Sequence, residues 1–306
     1  MLFSNTSLFG TVTGFYYNWK NKFMWFNLYR KTFRNYPSVI INQSRTKFPL
    51  KAIFKNGNQL MMNSIDETAL FALLTDHKNM TYDEKNDLLT VSLSSEFNRS
   101  SVRLYGIIQN TDTLLAFSQN NATYENLPLQ DKIIVDIGAC TGDTSLYFAL
   151  KGAKKVIAVE PFPKNFEILE KNILENNFNN LITPVLAACS SSDKEILIDP
   201  NNHNGMRSIL HEYPAGFKIS TITLEQIITD YDVSNAILKL DCEGCEYETI
   251  LNSSPSILKK FTDIQIEYHN GYKNLEEKLL SIGFEVSHPI IDNINRGHIH
   301  AKRKKT

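Results

Sequence analysis

Long apolar runs are missing from this sequence of 306 residues, and none approaches the roughly 18 residues that a helix needs to span a bilayer. The N-terminus lacks a basic start followed by an apolar core, so we expect no signal peptide. Cysteine is scarce, and its four copies are not spaced like the disulfide framework of a small secreted protein. The net charge of -1 leaves no positive surplus for a general nucleic-acid binder. We therefore expect a soluble, cytoplasmic protein with no transmembrane segment and no nucleic-acid partner.

The residues that are present, 42% hydrophobic and 21% charged, are ordinary for a globular chain. Residues 1–128 and 129–306 differ in character, which predicts a smaller N-terminal α+β accessory region, a cap over the substrate, followed by a catalytic domain. The dipeptide Asn56-Gly57 between two apolar segments is a strong hairpin signal. The elements predicted in the accessory region are hairpin strands at residues 52–55 and 59–62, a helix at 66–74, and strands at 88–93, 102–108 and 113–117.

Aromatic residues are concentrated near the N-terminus, where Phe15, Trp19, Phe23 and Phe26 fall near helical spacing. The simpler interpretation is a helix that packs this stripe on the catalytic domain. The alternative is an amphipathic segment, residues 15–31, that makes peripheral contact with a membrane or with a lipid-linked substrate. The sequence leaves both interpretations open.

The most informative segment begins with the apolar run 133–135, which is typical of a strand buried on both faces. The run ends at Asp136, and Gly138 and Gly142 then flank a turn in which the backbone can approach a ligand closely. A helix and a second apolar strand, residues 156–159, follow. This order of strand, glycine turn, helix and strand is typical of a nucleotide-binding βαβ unit.

The side chains around the turn favour one kind of nucleotide. Asp143 and Thr144 stand at the helix start, where either can cap it, and Glu160 after the second strand can reach ribose hydroxyls. A dinucleotide site would have a third glycine and a pyrophosphate on the helix N-terminus. Here the third glycine is missing, and the Asp143 carboxylate would repel a pyrophosphate. A ligand with a positive centre and an amino group, such as S-adenosylmethionine, fits these residues better.

With these residues the sequence resembles the FkbM family of S-adenosylmethionine-dependent methyltransferases. The resemblance continues through LAACSSSD, KEILIDP, TITLEQII, LKLDCEGCEYETIL and IQIEYH, and it covers residues 129–303. It implies an α/β fold with a Rossmann-like class I methyltransferase sheet of seven strands, the last one antiparallel. It also implies O-methylation of a hydroxyl on a sugar, a glycolipid or a secondary metabolite, so that the partner is a small-molecule or a glycan- or lipid-linked acceptor.

Apolar runs and polar interruptions predict the remaining elements of the second part. A long polar stretch, residues 191–220, is predicted to form a flap over the site. Further strands are predicted at residues 181–187, 236–240, 264–268, 284–287 and 299–302, and helices at 143–151, 165–176, 223–228 and 275–281.

Ligands of open parallel sheets bind outside the carboxyl ends of the strands, so the predicted contacts with S-adenosylmethionine lie there. Cys140 stands where the family commonly has Asn, which favours a backbone contact at this position. The predicted cofactor-binding residues are Asp136, Gly138, Cys140, Gly142, Asp143 and Thr144 at the amino-acid end, Glu160 at the ribose, Pro161 and Phe162 at the adenine, and Ala188 and Asp241.

Strands four and five are predicted to carry the catalytic residues. In this fold strand four lies beside strand one, so Asp241 and Glu243 should face the methyl donor. In strand five Glu267 and His269 alternate with apolar residues, and a carboxylate inside a parallel sheet is costly unless it is paired or functional. His269, with an ordinary pKa of about 6.5, is the best general-base candidate. Asp241 is the alternative base, and Glu267 could bind the acceptor hydroxyl, accept its proton or hold His269.

Other interpretations stay open. The fold could serve a nicotinamide-dependent oxidoreductase or a non-catalytic nucleotide-binding module. No metal ligand is assigned, although Asp241, Glu243, Glu267 and His269 could together hold a divalent cation such as Mg²⁺ or Mn²⁺.

The cysteines allow two interpretations. Cys242 and Cys245 form a C-x-x-C, and Cys140 and Cys189 also fall at strand ends, so four thiolates could bind zinc or a cluster. The simpler interpretation is four small apolar side chains in tight turns.

Overall fold

The structure is a computed structural model that describes residues 23, 25–55, 57, 59–62, 65, 68–69, 71–72, 80–83, 85–95, 97–106, 123–192, 194–198, 216–291 and 295–304. The chain forms two compact units, Met1–Tyr82 and Asp83–Thr306. The second unit includes residues 83–106, which are predicted above to belong to the accessory region, and the boundary at residue 128 stays a prediction. No helix among the described residues is both long enough and apolar enough to cross a membrane.

The first unit is built on an aromatic core. Tyr29, in the helical residues 25–32, contacts Phe33 with ring centroids 5.6 Å apart, and Phe33 contacts Phe54 at 5.1 Å. The helix therefore packs within its own unit, while Phe23 and Phe26 are 54% and 42% exposed. Phe15 and Trp19, which belong to the same predicted stripe, lie outside the described residues.

The predicted hairpin of the first unit is confirmed. Strands β1 (Leu50–Ile53) and β2 (Gln59–Met62) pair antiparallel, with the first strand beginning two residues earlier than expected. Helix α1 (Tyr36–Ser44) precedes them, and β3 (Met80–Asp83) begins in this unit and ends one residue beyond it. Of the predicted helix at residues 66–74, the described residues 68–69 and 71–72 are helical.

The second unit begins with a hairpin. Strands β4 (Leu88–Ser92) and β5 (Ser101–Tyr105) pair antiparallel, which confirms two predicted strands. The third, at residues 113–117, lies outside the described residues.

A mixed sheet of seven strands forms the body of the second unit, in the order β14-β15-β13-β12-β6-β7-β8. Strand β15 alone in this sheet runs antiparallel to its neighbours, so the predicted class I methyltransferase arrangement is confirmed. The elements are β6 (Ile133–Ile137), α2 (Asp143–Leu150), β7 (Lys155–Glu160), α3 (Pro163–Glu175), β8 (Ile182–Leu186), α4 (Leu224–Asp230), β12 (Ala236–Leu240), α5 (Cys245–Asn252), α6 (Pro255–Leu258), β13 (Phe261–Tyr268), α7 (Lys273–Ser281), β14 (Phe284–Ile291) and β15 (Gly297–Arg303).

The two faces of this sheet differ in polarity. On one face Val135, Leu238 and Ile264 belong to the main apolar cluster, together with side chains of helices α4, α5 and α7. Asp136 and Lys239, which alternate with these residues, point to the other face and are also buried. A parallel sheet covered on both faces normally has apolar residues on both. The buried charges therefore mark a special position at the carboxyl ends of β6 and β12.

The predicted flap is described in part. Strands β10 (Glu195–Ile198) and β11 (Phe217–Ile222) pair antiparallel, and β11 pairs with the short β9 (Ala188–Cys189). Residues 193 and 199–215, the larger part of the predicted flap, lie outside the described residues.

Candidate functional site

The turn between β6 and α2, residues 138–142, is called here the glycine loop. Gly138 has a φ of 78°, and a Cβ built on it would lie 1.9 Å from the backbone oxygen of Asp241. No side chain fits there, because the obstacle is backbone that cannot rotate away. Gly138 thus lets the loop touch the end of β12, which brings the carboxyl ends of the first and fourth strands of the predicted site together.

A buried ion pair lies below the glycine loop. Lys239 Nζ lies 3.0 Å from Asp136 Oδ1, and the two side chains are 2% and 0% exposed. Burial alone would lower the pKa of Lys239, but the charge of Asp136 outweighs it and raises that pKa above its ordinary value. The lysine is therefore a permanent cation in the protein interior.

Each end of this pair is tied to the loop or to the helix that follows it. Lys239 Nζ donates a hydrogen bond to the backbone oxygen of Gly138 at 2.8 Å. The hydroxyls of Thr144 and Ser145, in the first turn of α2, both donate to Asp136 Oδ2 at 2.7 Å. The pair thus fixes the loop through Lys239 and the helix through Asp136, and direct contact between the Asp136 carboxylate and a ligand stays a prediction.

Glu160 fixes the other side of the glycine loop. Its Oε2 accepts a hydrogen bond from the backbone N–H of Cys140 at 2.9 Å, and its Oε1 accepts from the backbone N–H of Phe162 at 3.0 Å. Burial raises the pKa of Glu160 to about 7, although these bonds act in the opposite direction. Cys140 indeed contributes through its backbone, while a contact between Glu160 and a ribose stays a prediction.

Apolar residues lie next to Glu160. Phe162 and Ala188 share a small cluster with Ile198 and Ile219 of β10 and β11. Two predicted cofactor contacts, separated by more than twenty residues in sequence, are thereby brought together. Pro161, between Glu160 and Phe162, is half-buried.

Asp143 is the first residue of α2 and is buried. Burial raises the pKa of Asp143 to about 8, while the charge of Lys239 lowers it and that of Asp136 raises it. Tyr124, which was not predicted, is buried within the same group of charges, and burial raises the pKa of its hydroxyl well above the ordinary range. The site therefore presents a carboxyl group that a positively charged ligand would ionise.

The second part of the site is a cluster around His269, called here the histidine cluster: Asp241, Glu243, Glu246, Glu267 and His269. His269 Nδ1 lies 2.8 Å from Oε1 of Glu246, which is fully buried. His269 Nε2 lies 3.4 Å from Glu243 Oε2 and 3.7 Å from Glu267 Oε1. Burial lowers the pKa of His269, but the surrounding carboxylates, Glu246 first, raise it above its ordinary value.

Glu267 is held from outside the cluster. Arg296 Nε donates a hydrogen bond to Glu267 Oε1 at 2.7 Å, and Nη2 of the same arginine lies 2.5 Å from that oxygen. Burial and the charge of Asp241 raise the pKa of Glu267 to about 7, while Arg296 lowers it. One ligand atom each from Asp241, Glu267 and His269 lies within 4.8 Å of the others. The structure thus brings all three predicted catalytic residues together.

The turn that carries Glu243 corrects the interpretation of the cysteines. Cys242 and Cys245 form a disulfide, whereas Cys140 and Cys189 are not disulfide-bonded. The four thiols therefore cannot bind zinc together, and two of them are not merely small apolar side chains. The disulfide closes the turn that leads from β12 into α5.

The residues of the site that the sequence did not predict include Lys239, Glu246 and Tyr124. A signal for Lys239 was available, because a lysine within the buried run 236–240 must be paired. Glu246 lies one residue into α5, and its contact with His269 depends on how that helix packs on β13. Tyr124 precedes the sheet and belongs to no motif.

Comparisons with known proteins agree with the geometry. Residues 136–292 match the family model described as the methyltransferase FkbM domain. Over 109 residues the chain is 32% identical to protein arginine N-methyltransferase 1 of Saccharomyces cerevisiae. The aligned region covers 35% of this chain and 31% of the yeast protein.

Among solved structures, the chain is similar to methyltransferase FkbM from Methylobacillus flagellatus KT, with 17% identity and a TM-score of 0.45 over 61% of this chain and 47% of that one. It is also similar to fibrillarin from Aeropyrum pernix in complex with natively bound S-adenosyl-L-methionine, with 12% identity and a TM-score of 0.37 over 72% of this chain and 97% of that one. The chain spans less than half of the yeast protein and of the Methylobacillus protein, at 31% and 47% of their lengths.

The buried ion pair gives a test by double-mutant cycle. Lys239→Met leaves the Asp136 carboxylate without a counter-charge, so we expect the free energy of unfolding to fall by about 3–5 kcal/mol. Asp136→Asn should cost a similar amount by leaving the lysine unpaired. The double variant should lose clearly less than the sum, because no uncompensated charge remains. Urea denaturation measures all three, and additive losses would show that the two charges do not stabilise each other.

A matched control is the exposed pair of Lys218 and Glu195, which has a similar N–O distance of 2.9 Å but side chains that are 70% and 62% exposed. Lys218→Met should change stability little, because water screens the pair.

Proposed function

Because this chain belongs to the FkbM methyltransferase family, we propose that it transfers the methyl group of S-adenosylmethionine to a hydroxyl oxygen of a sugar, a glycolipid or a secondary metabolite. The observation that carries the proposal is the state of His269. Buried Glu246 holds its Nδ1, while its buried Nε2 has no hydrogen-bond partner among the residues that the structure describes. A fixed imidazole whose second nitrogen makes no hydrogen bond in the described part of the chain, with Glu243 Oε2 at 3.4 Å and Glu267 Oε1 at 3.7 Å, suits a proton acceptor.

The charges of the glycine-loop side support a cationic ligand. S-adenosylmethionine supplies, when bound, a methyl group on a positively charged sulfur, and it also carries an ammonium group. Asp143, whose pKa burial raises to about 8, would become a carboxylate in the presence of such a group. Glu160 would take the ribose hydroxyls, and the cluster of Phe162 and Ala188 would cover the adenine.

The histidine cluster supports the transfer itself. The acceptor hydroxyl would lose its proton to His269 Nε2 as its oxygen bonds to the methyl carbon and the bond from that carbon to sulfur breaks. Glu246 would keep the second nitrogen of the ring protonated and stabilise the imidazolium that results. Asp241 and Glu267 would orient the hydroxyl, and much of the rate would come from holding the two reactants in line.

The same cluster supports a second use, and we propose it as the alternative. Two carboxylates and an imidazole suit a divalent cation such as Mg²⁺ or Mn²⁺, and the ligand atoms of Asp241, Glu267 and His269 lie within 4.8 Å of one another. Histidines that bind metals commonly give their other nitrogen to a carboxylate, as His269 does to Glu246. In this alternative the cation, rather than the imidazole, would lower the pKa of the acceptor hydroxyl.

The acceptor and the location of the protein stay predictions. Membrane contact through residues 15–31 would suit a lipid-linked acceptor, and the exposed Phe23 and Phe26 belong to that segment. A cytoplasmic location and the absence of a nucleic-acid partner rest on the sequence alone.

Removal of the proposed base should separate binding from transfer. His269→Ala should bind S-adenosylmethionine as the unchanged protein does, but methyl transfer should fall by about 10²–10⁴-fold. Binding is measured by calorimetry, and transfer with labelled cofactor against glycan, lipid and metabolite fractions of the host. The control His288→Ala removes another histidine paired with a glutamate, Glu276 at 3.0 Å, outside the cluster. Full transfer by His269→Ala would remove this residue from the mechanism, and failure of the unchanged protein to bind the cofactor would refute the proposed function.

Proton release on binding tests the role of Asp143. Its carboxyl is largely protonated at pH 7 in the free protein, and the ammonium group of the ligand favours the ionised form. Binding should therefore release protons at pH 7, and the affinity should rise from about pH 6 to about pH 7.5, where the ligand ammonium is still protonated. Calorimetry in two buffers of different ionisation enthalpy measures the release. Asp143→Asn should release fewer protons, and an unchanged count would exclude this carboxyl.

The cation alternative is tested by direct binding of Mn²⁺, which needs no acceptor. The protein should bind about one Mn²⁺ if the alternative is correct, and Asp241→Asn should abolish that binding. Asp263→Asn is the matched control, because Asp263, a buried acid of β13, also lies close to a histidine, His300, at 3.0 Å. Absence of Mn²⁺ binding to the unchanged protein, or equal loss in both variants, would leave His269 as the base without a metal.

A further inference from the structure

We propose that Asn172, on helix α3, is a positioning residue for the methyl-donor site, because it ties the glycine loop to strand β5. The proposal rests on the proposed function only in taking S-adenosylmethionine as the ligand of that loop. Asn172 lies on a helix and not in any motif of the site. It is 0% exposed, and its side-chain amide makes all of its hydrogen bonds within the protein.

The amide of Asn172 joins two segments that are distant in sequence. Its Oδ1 accepts a hydrogen bond from the backbone N–H of Tyr105 at 2.7 Å, and its Nδ2 donates to the backbone oxygen of Tyr105 at 3.3 Å. Nδ2 also donates a hydrogen bond to the backbone oxygen of Thr141, in the glycine loop, at 2.8 Å. The Asn172 side chain therefore bonds to the backbone N–H and C=O of Tyr105, as a neighbouring strand would. It also bonds to the glycine loop.

Asn176, one helical turn later, repeats half of this arrangement. Its Oδ1 accepts from the backbone N–H of Arg103 at 2.9 Å, and its Nδ2 donates to the backbone oxygen of Arg103 at 2.6 Å. Its other donor bond returns to the backbone oxygen of Asn172 at 2.8 Å, within the same helix. None of the bonds that the structure describes for Asn176 reaches the glycine loop. The two asparagines thus share the contact with β5 and differ in the contact with the loop.

The loop depends on such outside contacts because its backbone is strained. Cys140 has a φ of 50° and Gly142 a φ of 89°, so Thr141 stands between two residues in the left-handed region. A residue other than glycine in that region is strained, and contacts with the surroundings must offset the strain. Glu160 holds the N–H of Cys140 from one side, and Asn172 holds the oxygen of Thr141 from the other. Thr141 is fully buried, so the loss of the Asn172 donor would not be readily replaced by water.

Paired variants of the two asparagines test the proposal. Asn172→Ala and Asn176→Ala should lower the melting temperature by similar amounts, because each loses its bonds to β5. Asn172→Ala should in addition weaken binding of S-adenosylmethionine and its demethylated product by about tenfold relative to Asn176→Ala, the order expected for one buried hydrogen bond. Calorimetry gives the affinities. Hydrogen exchange without ligand should be faster at residues 140–143 in Asn172→Ala only.

The outcomes separate the two proposals. Binding by the unchanged protein with equal affinities and equal exchange in the two variants would overturn the role of Asn172 and leave the proposed function standing. No binding by the unchanged protein would overturn the proposed function, and the exchange measurement would still decide whether Asn172 holds the loop. If Asn172→Ala does not fold, Asn172→Ser provides the same comparison against Asn176→Ser, because its hydroxyl is too short to serve both Tyr105 and Thr141.

Discussion

The ion pair of Asp136 and Lys239 is the constraint on which the site depends. Two charges without contact with water are tolerated only when they are paired and their remaining hydrogen-bonding positions are filled. Here the filling groups are the oxygen of Gly138 and the hydroxyls of Thr144 and Ser145. Strand β6, strand β12, the glycine loop and the first turn of α2 must therefore keep one mutual arrangement, because a shift of any of them would leave a charge or its partner unsatisfied.

The carboxyl groups of Asp143 and Glu160, near this ion pair, favour a ligand of positive charge. Lys239 neutralises Asp136, but Asp143 and Glu160 are buried nearby with their pKa values raised to about 8 and about 7. Raised values mean that these groups resist ionisation until a positive charge arrives. A ligand with a cationic sulfur and an ammonium group supplies that charge, whereas a pyrophosphate would add to the repulsion. The electrostatics of the folded protein thus favour a cationic ligand over a pyrophosphate, as the position of Asp143 in the sequence does.

The sequence predicted the sheet and the acidic strand ends, but not the residues that hold them. Strand order follows from apolar runs and the family resemblance, and Asp241, Glu267 and His269 meet because parallel strands end at one edge. Glu246 and Asn172 escaped because each acts on a residue far along the chain, with Asn172 and Tyr105 separated by 67 positions. A helical asparagine or glutamate is ordinary in composition, so only tertiary packing reveals its partner. The disulfide escaped for a related reason, since spacing alone does not distinguish a pair of thiols from a bridge.

Gly138 joins the two halves of the site, which are otherwise built on different elements. The glycine loop and its partners depend on β6, β7 and α3, and the histidine cluster depends on β12, β13 and α5. They meet where the backbone of Gly138 lies against the backbone oxygen of Asp241. A Cβ on residue 138 would lie only 1.9 Å from that oxygen. A larger residue would push Asp241 away from His269 and would also strain the bond from Lys239 to the loop. In the proposed reaction, donor and base would come into line because this position has no side chain, so that the end of β12 can lie against the glycine loop.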